Sequence, residues 1–182
     1  TFTKAPEVMP ATIWRALIQR FYSPYEDIYI PAVATDPYGL NFAGLALPFM
    51  RDKLRDGKKT AFIAAEPHAC PTITKGKYAY DHGDTAKMTP LLKQHTLGHI
   101  FVPAAIHAGG LRYHGMASII SFLCNEALME SAAFYQNEVF KDAILFAQAE
   151  GVIPAPETTH AISAAMNVAR ECKKTGEEKS IL

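Results

Sequence analysis

The sequence predicts an α/β domain, a mainly parallel sheet with helices on both faces, preceded by a proline-rich arm. Three observations carry this reading. Apolar segments of helical period alternate with short apolar runs of strand character from residue 41 onward. The run at 60–65, TAFIAA, is apolar at nearly every position, as in a strand covered on both faces. Helical segments stop at glycines, above all Gly151 and Gly176, which take the left-handed conformation that closes a helix.

Taken in order, residues 1–38 form the arm and residues 39–182 the α/β domain. The arm holds five prolines, Pro6, Pro10, Pro24, Pro31 and Pro37, around one short helical stretch at 13–21. There Trp14, Leu17, Ile18 and Phe21 fall at helical spacing, an apolar stripe that docks on a protein body. Phe42, Leu45, Ala46 and Phe49 mark a helix that ends near Gly57, and the strand at 60–65 follows. Met116, Ile119, Ile120 and Leu123 mark another helix, with a strand at 131–135 behind it. Asn137 caps a helix through Ala149, and Thr158 caps one that ends with Lys173, Lys174 and Gly176. Residues 179–182 begin one more strand. In such a sheet, ligands sit beyond the carboxyl ends of the strands.

Composition narrows the function. A chain of 182 residues fits one domain and can bury roughly 70 % of its unfolded surface. Its 18 basic and 18 acidic residues cancel, and the lysines are scattered apart from pairs such as Lys58-Lys59, so no basic stripe marks a nucleic-acid partner. Apolar runs are broken well short of the roughly 20 residues that span a bilayer, and the first residues do not read as a signal peptide. Cys70, Cys124 and Cys172 are odd in number and far apart, with no C-x-x-C pair. They read as reduced thiols of a cytoplasmic protein, neither a disulfide framework nor a zinc site.

The stretch at 96–117, TLGHIFVPAAIHAGGLRYHGMA, reads as a shaped site. It sets closely spaced glycines, histidines and one arginine between apolar segments. Arg112 lies within it, where its planar fork can bind a carboxylate or form a structural ion pair. His95 and His99 have the i, i+4 spacing of a helical metal pair, but Gly98 weakens the helix and no acidic residue lies between them, so no metal is expected. Glu66 ends the strand at 60–65, where its carboxylate can meet a bound cofactor or simply close a turn. Glu157, Thr158, Thr159 and His160 open a helix, which suits plain capping or an anion site. Gly39 and Asn41 precede a helix in the same way, a weak phosphate signal.

Four motifs in order carry a resemblance: NFAGLA at 41–46, AEP at 65–67, HAGGLRYHG at 107–115 and EGVIPAPE at 150–157. Together they resemble the tryptophan synthase β family, in its stand-alone branch, continuously from about Asn41 to Leu182. Residues 16–33 also resemble that branch's N-terminal region, which lies far upstream in the family. The resemblance implies the C-terminal half of a fold-type II enzyme that uses pyridoxal 5'-phosphate to replace the hydroxyl of L-serine with indole, giving L-tryptophan. It makes Glu66 a catalytic, cofactor-side carboxylate and Gly39 and Asn41 part of the phosphate loop. Arg112, Tyr113 and His114 fall on its substrate side. A homodimer, or a partner that supplies a missing half, is implied as well.

The departures from the family are specific. Asp36-Pro37-Tyr38-Gly39-Leu40 stands where the family has several glycines and a serine; Pro37 removes a backbone donor and Asp36 repels phosphate. No lysine follows a histidine, the context of the family's cofactor lysine, and the family's Ser-Gly motif is not reached. The expectation is therefore that the central cofactor-lysine region is missing between about Ala32 and Asn41, together with the extreme C-terminus. Such an incomplete chain is inactive alone. The alternative is a non-catalytic remnant that serves as a binding or oligomerisation module.

Overall fold

The computed structural model describes residues 28–33 and 40–182, with side chains from residue 42 onward. The helical stretch at 13–21, Gly39 and the departure at 36–39 lie outside the described residues.

A four-stranded parallel sheet organises the domain, in the order β5-β2-β1-β6. Its strands are β1 (Ile28–Val33), β2 (Thr60–Pro67), β5 (Glu130–Phe134) and β6 (Ser180–Ile181). In register, Ile28 faces Thr60 and Ser180 from β1, while Pro67 faces Phe134 across β2 and β5. Parallel neighbours cannot be joined by tight turns, so each connection crosses a face of the sheet. Helix α1 (Leu40–Asp56) joins β1 to β2. Between β2 and β5 come an antiparallel hairpin, β3 (Lys77–His82) with β4 (Leu91–Thr96), and then α2 (Ser118–Asn125). Helices α3 (Gln136–Glu150) and α4 (Thr158–Thr175) lead to β6.

Strand β2 is buried on both faces, as its continuous apolar run requires. Phe62 and Ala64 pack into one core with Phe42, Ala46, Phe49 and Met50 of α1 and with Ile120 and Leu123 of α2. Ala65 packs into the other with Phe134, Val139 of α3 and Ala164 of α4. Alternate residues of one strand thus serve two layers, and both helical faces depend on its register.

Several boundaries shift from the sequence reading. The strand expected at 131–135 is Glu130–Phe134, because Tyr135 turns out to become the residue before α3. Asn137 is the second residue of α3 rather than its cap, and Thr158 is the first of α4, after Glu157; neither helix has a side-chain cap hydrogen bond. Met116 is buried but precedes α2, whereas Ile119 faces outward at 47 % exposure. The C-terminal stops are as expected: Gly151 and Gly176 have φ of 69° and 75°, and their amides bond Ala147 and Cys172 carbonyls. The β3-β4 hairpin was not anticipated. Among the described residues no helix is long and apolar enough to cross a membrane.

Phe62, 1 % exposed, is the largest side chain that β2 gives to the first core. Phe62→Ala is expected to lower unfolding stability by about 3–5 kcal/mol. A urea titration checks this, through a lower midpoint at unchanged slope.

Candidate active site

Glu66 stands at the carboxyl end of β2, on the face covered by α1 and α2, and is fully buried. Its Oε2 accepts the Ile73 amide at 2.9 Å, and its Oε1 accepts the Thr74 amide at 2.8 Å and the Thr74 hydroxyl at 2.5 Å. Three donors converging on one carboxylate fix the turn that follows the strand. Burial raises the pKa of this carboxyl against the pull of those hydrogen bonds.

The same turn is tied on its other side to the glycine-rich stretch. The Thr72 hydroxyl and the Cys70 thiol each donate to the Tyr113 carbonyl, both at 2.8 Å. Burial pushes the Cys70 thiol up, so it remains a protonated donor. Gly76 closes the turn in a space that admits no side chain, since a Cβ there would lie 2.0 Å from the Thr72 carbonyl oxygen.

The stretch at 96–117 is a loop with its ends stitched together. Thr96 bridges Gly115, the Leu97 amide donates to the His114 carbonyl at 2.7 Å, and the Met116 amide donates to the His95 carbonyl at 2.9 Å. Inside it, a Gly109–Leu111 3-10 turn buries Leu111. The Gly110 amide donates to Glu157 Oε1 at 3.1 Å, which fastens the loop to the start of α4. The Glu157 side chain therefore does not cap α4.

The residues singled out from sequence separate into distinct settings. Arg112 is exposed and donates to the Pro103 carbonyl at 2.9 Å, within its own loop. Tyr113 presents its carbonyl inward and its ring to solvent. His114 Nε2 donates to the His82 carbonyl at 2.8 Å and binds the loop to the hairpin. Asn41 is the second residue of α1, which opens beyond the carboxyl end of β1. Glu66 and the 112–114 segment are brought together through the 72–74 turn, but a fully buried Glu66 does not line an open cleft.

The supposed helical histidine pair has no helix beneath it. His95 lies in β4 and stacks on Tyr78, with centroids 5.2 Å apart, whereas His99 follows a left-handed Gly98. His99 Nδ1 instead donates to Asp81 at 2.6 Å, and the Thr96 hydroxyl donates to the same carboxylate at 2.6 Å. Although burial pushes Asp81 up, these bonds hold its pKa below the ordinary value.

A cavity of about 180 Å³ opens where β2 and β5 end. Pro67, His68, Phe134, Tyr135 and His160 are among its walls, and none of Glu66, Arg112, Tyr113 or His114 is. Sequence reasoning met His160 only as part of a helix start; no local pattern joins it to His68 and Tyr135. The cavity is smaller than the roughly 300–1,000 Å³ of a full ligand pocket, as for one part of a larger site.

A parallel sheet flanked by helices, with its functional edge at the strand ends, is the architecture of fold-type II pyridoxal phosphate enzymes. An L-serine ammonia-lyase from Rhizomucor miehei matches 94 % of this chain and 49 % of its own at TM-score 0.59 and 15 % identity. Threonine deaminase isoform 2 from Solanum lycopersicum matches 94 % and 42 % at TM-score 0.58 and 17 % identity. These likenesses give the fold.

Sequence narrows the class. Tryptophan synthase beta chain 2 of Methanothermobacter thermautotrophicus is 57 % identical over 145 residues, 79 % of this chain and 34 % of that protein. The corresponding chain of Aquifex aeolicus is 53 % identical over 161 residues, 87 % and 36 % respectively. The tryptophan synthase beta chain of Thermosipho africanus is 58 % identical over 144 residues, 79 % and 34 %. This similarity places about four-fifths of the chain in the tryptophan synthase β family. The chain spans about a third of the length of these curated relatives. No family model matches it.

Because its carboxyl pKa is raised, Glu66 holds its proton more tightly in the folded than in the unfolded state. Its contribution is therefore complete below the ordinary value near 4.5 and shrinks as pH rises toward the raised value. Glu66→Gln should cost about 1–3 kcal/mol by facing an amide N–H₂ with a backbone donor. It should also abolish this pH-dependent part of stability, which urea titrations of both proteins across pH 4–8 would measure.

Proposed function

We propose that the chain forms part of a pyridoxal phosphate enzyme that replaces the hydroxyl of L-serine with indole to give L-tryptophan. The observation that carries this reading is the 52–58 % identity to tryptophan synthase β chains over most of the chain. When bound, the pyridoxal ring supplies an electron sink for the substrate's α-carbon.

The residues fit that cofactor as one side of a site. Helix α1 opens beyond the carboxyl end of β1, so its first amides face the place where a phosphate sits in such folds. Gly39 and Asn41 are assigned to the phosphate, and Glu66 to the cofactor side. Glu66 acts there as a positioning residue: its carboxylate holds the 72–74 turn, which in turn holds the Tyr113 backbone. Arg112, Tyr113 and His114 form the substrate side, with His114 setting the loop against the hairpin. Three free cysteines suit a reducing cytoplasm.

No lysine is among the residues lining the cavity at the ends of β2 and β5, and none follows a histidine. The 182-residue chain by itself is accordingly expected to make no tryptophan from serine and indole. A chimera of the Aquifex aeolicus chain, with its matching segment replaced by residues 40–181 of this one, should make it. A folded, cofactor-loaded chimera without activity would sink the assignment.

Association is part of the same reading. Tyr80, Met88, Ile100 and Val102, all in or beside the hairpin, stand exposed, Val102 at 83 %. Apolar residues so exposed suit coverage by a second copy or by the rest of the enzyme. Light scattering should show dimers or larger species; a monodisperse monomer would count against this.

A further inference from the structure

Asp81, near the end of β3, is a buried carboxylate with no part in the function above. Its Oδ2 accepts the Thr96 hydroxyl at 2.6 Å, and its Oδ1 accepts His99 Nδ1 at 2.6 Å and the His82 amide at 2.9 Å. Two of these donors, Thr96 and His99, belong to the first residues of the 96–117 stretch. The Thr96 hydroxyl also accepts the Gly98 amide at 2.9 Å, so the grip of the carboxylate extends along the chain.

The same end of β3 meets the far end of that stretch. The His82 carbonyl accepts His114 Nε2 at 2.8 Å. Gln94, buried in β4, donates to the Asp81 carbonyl at 3.4 Å, and its Oε1 lies 2.7 Å from where a Cβ on Gly115 would stand. Asp81 and His82 thus hold residues 96–99 and 114–115 against one strand end.

That base decides where the exposed part of the loop lies. The Arg112 side chain and the Tyr113 ring are exposed, and the Arg112 guanidinium bonds the Pro103 carbonyl of its own loop. Their positions therefore follow from the backbone, and a loop pinned at its base samples far fewer backbone arrangements than one open there. Burial pushes the Asp81 carboxyl up, but the bonds from Thr96, His99 and His82 hold it below its ordinary value, so it is ionised at neutral pH. Hydrogen bonds to a buried charge are the strong ones, and leaving them unmade is costly.

We propose that Asp81 is a positioning residue for the reaction: its carboxylate latches the base of the loop through Thr96 and His99, and so sets where Arg112, Tyr113 and His114 meet the substrate. This rests on the assignment of those three residues to the substrate side.

Two readouts test it. In the full 182-residue chain, hydrogen exchange followed by NMR should show the Leu97, Gly98 and Met116 amides of Asp81→Asn exchanging about tenfold faster or more, with the Ile73 and Thr74 amides at Glu66 unchanged. Thr96→Val should speed Leu97 and Met116 in the same way, and it decides if Asp81→Asn does not fold. Thr96→Ser keeps the hydroxyl and should exchange like the parent. In the Aquifex aeolicus chimera, Asp81→Asn should lower kcat/KM about 10- to 100-fold at unchanged cofactor loading. Asp142→Asn also removes a buried carboxylate, the one that pairs α3 with Arg170 of α4, and should leave kcat/KM unchanged. A merely structural role for Asp81 would make these two variants alike. Unchanged exchange at Leu97 and Met116, or an unchanged kcat/KM in an active chimera, would overturn the proposal. A folded, cofactor-loaded parent chimera without activity would sink the assigned reaction and the part of Asp81 in it, while the exchange result would still decide the latch.

Discussion

The buried Glu66 carboxylate is the interaction through which sheet, turn and loop are joined. It sits at the end of a strand covered on both faces, where an unmet charge would be heavily penalised. Two amides and a hydroxyl from residues 73–74 meet it, and the segment they belong to reaches Tyr113 through Thr72 and Cys70. The position of the LRYHG segment thus follows from a polar group that the hydrophobic core cannot leave unsatisfied.

Around that anchor, the glycine-rich stretch is held on three sides. Its ends are stitched to each other, His114 ties it to the hairpin, and Gly110 ties it to Glu157 at the start of α4. A loop so constrained presents Arg112 and the Tyr113 ring from a fixed backbone while remaining open to whatever covers it. Glycine is needed at Gly76, where the Thr72 carbonyl oxygen already occupies the space of a side chain, and at Gly115 a side chain would displace Gln94.

The cavity at the ends of β2 and β5 borders this stretch at Ile106, His107 and Ala108, on the side of the sheet packed by α3 and α4. No Asp or Glu lines it, in contrast to the hairpin, where the Asp81 carboxylate accepts from His99 and Thr96.

Much of this was legible in residues met in order. The all-apolar run at 60–65, the stripe from Phe42 to Phe49 and the glycine stops at 151 and 176 encode their structures locally, because periodicity and backbone conformation are properties of neighbouring residues. The family motifs were legible for the same reason, as short unbroken strings. The β3-β4 hairpin was not, since its exposed, charged strands lack a clean period of two. The i, i+4 spacing of His95 and His99 marks no helical pair, as Gly98 already argued, because spacing implies proximity only where a helix exists and antiparallel pairing holds His95 in a strand. By itself the sequence determined the α/β class, the family and the presence of a glycine-shaped loop. Only the tertiary structure decided that Glu66 turns inward to hold a turn, and that His68, Tyr135 and His160 share one cavity. Such placements depend on contacts between segments far apart in the chain, which no local pattern of residues can specify.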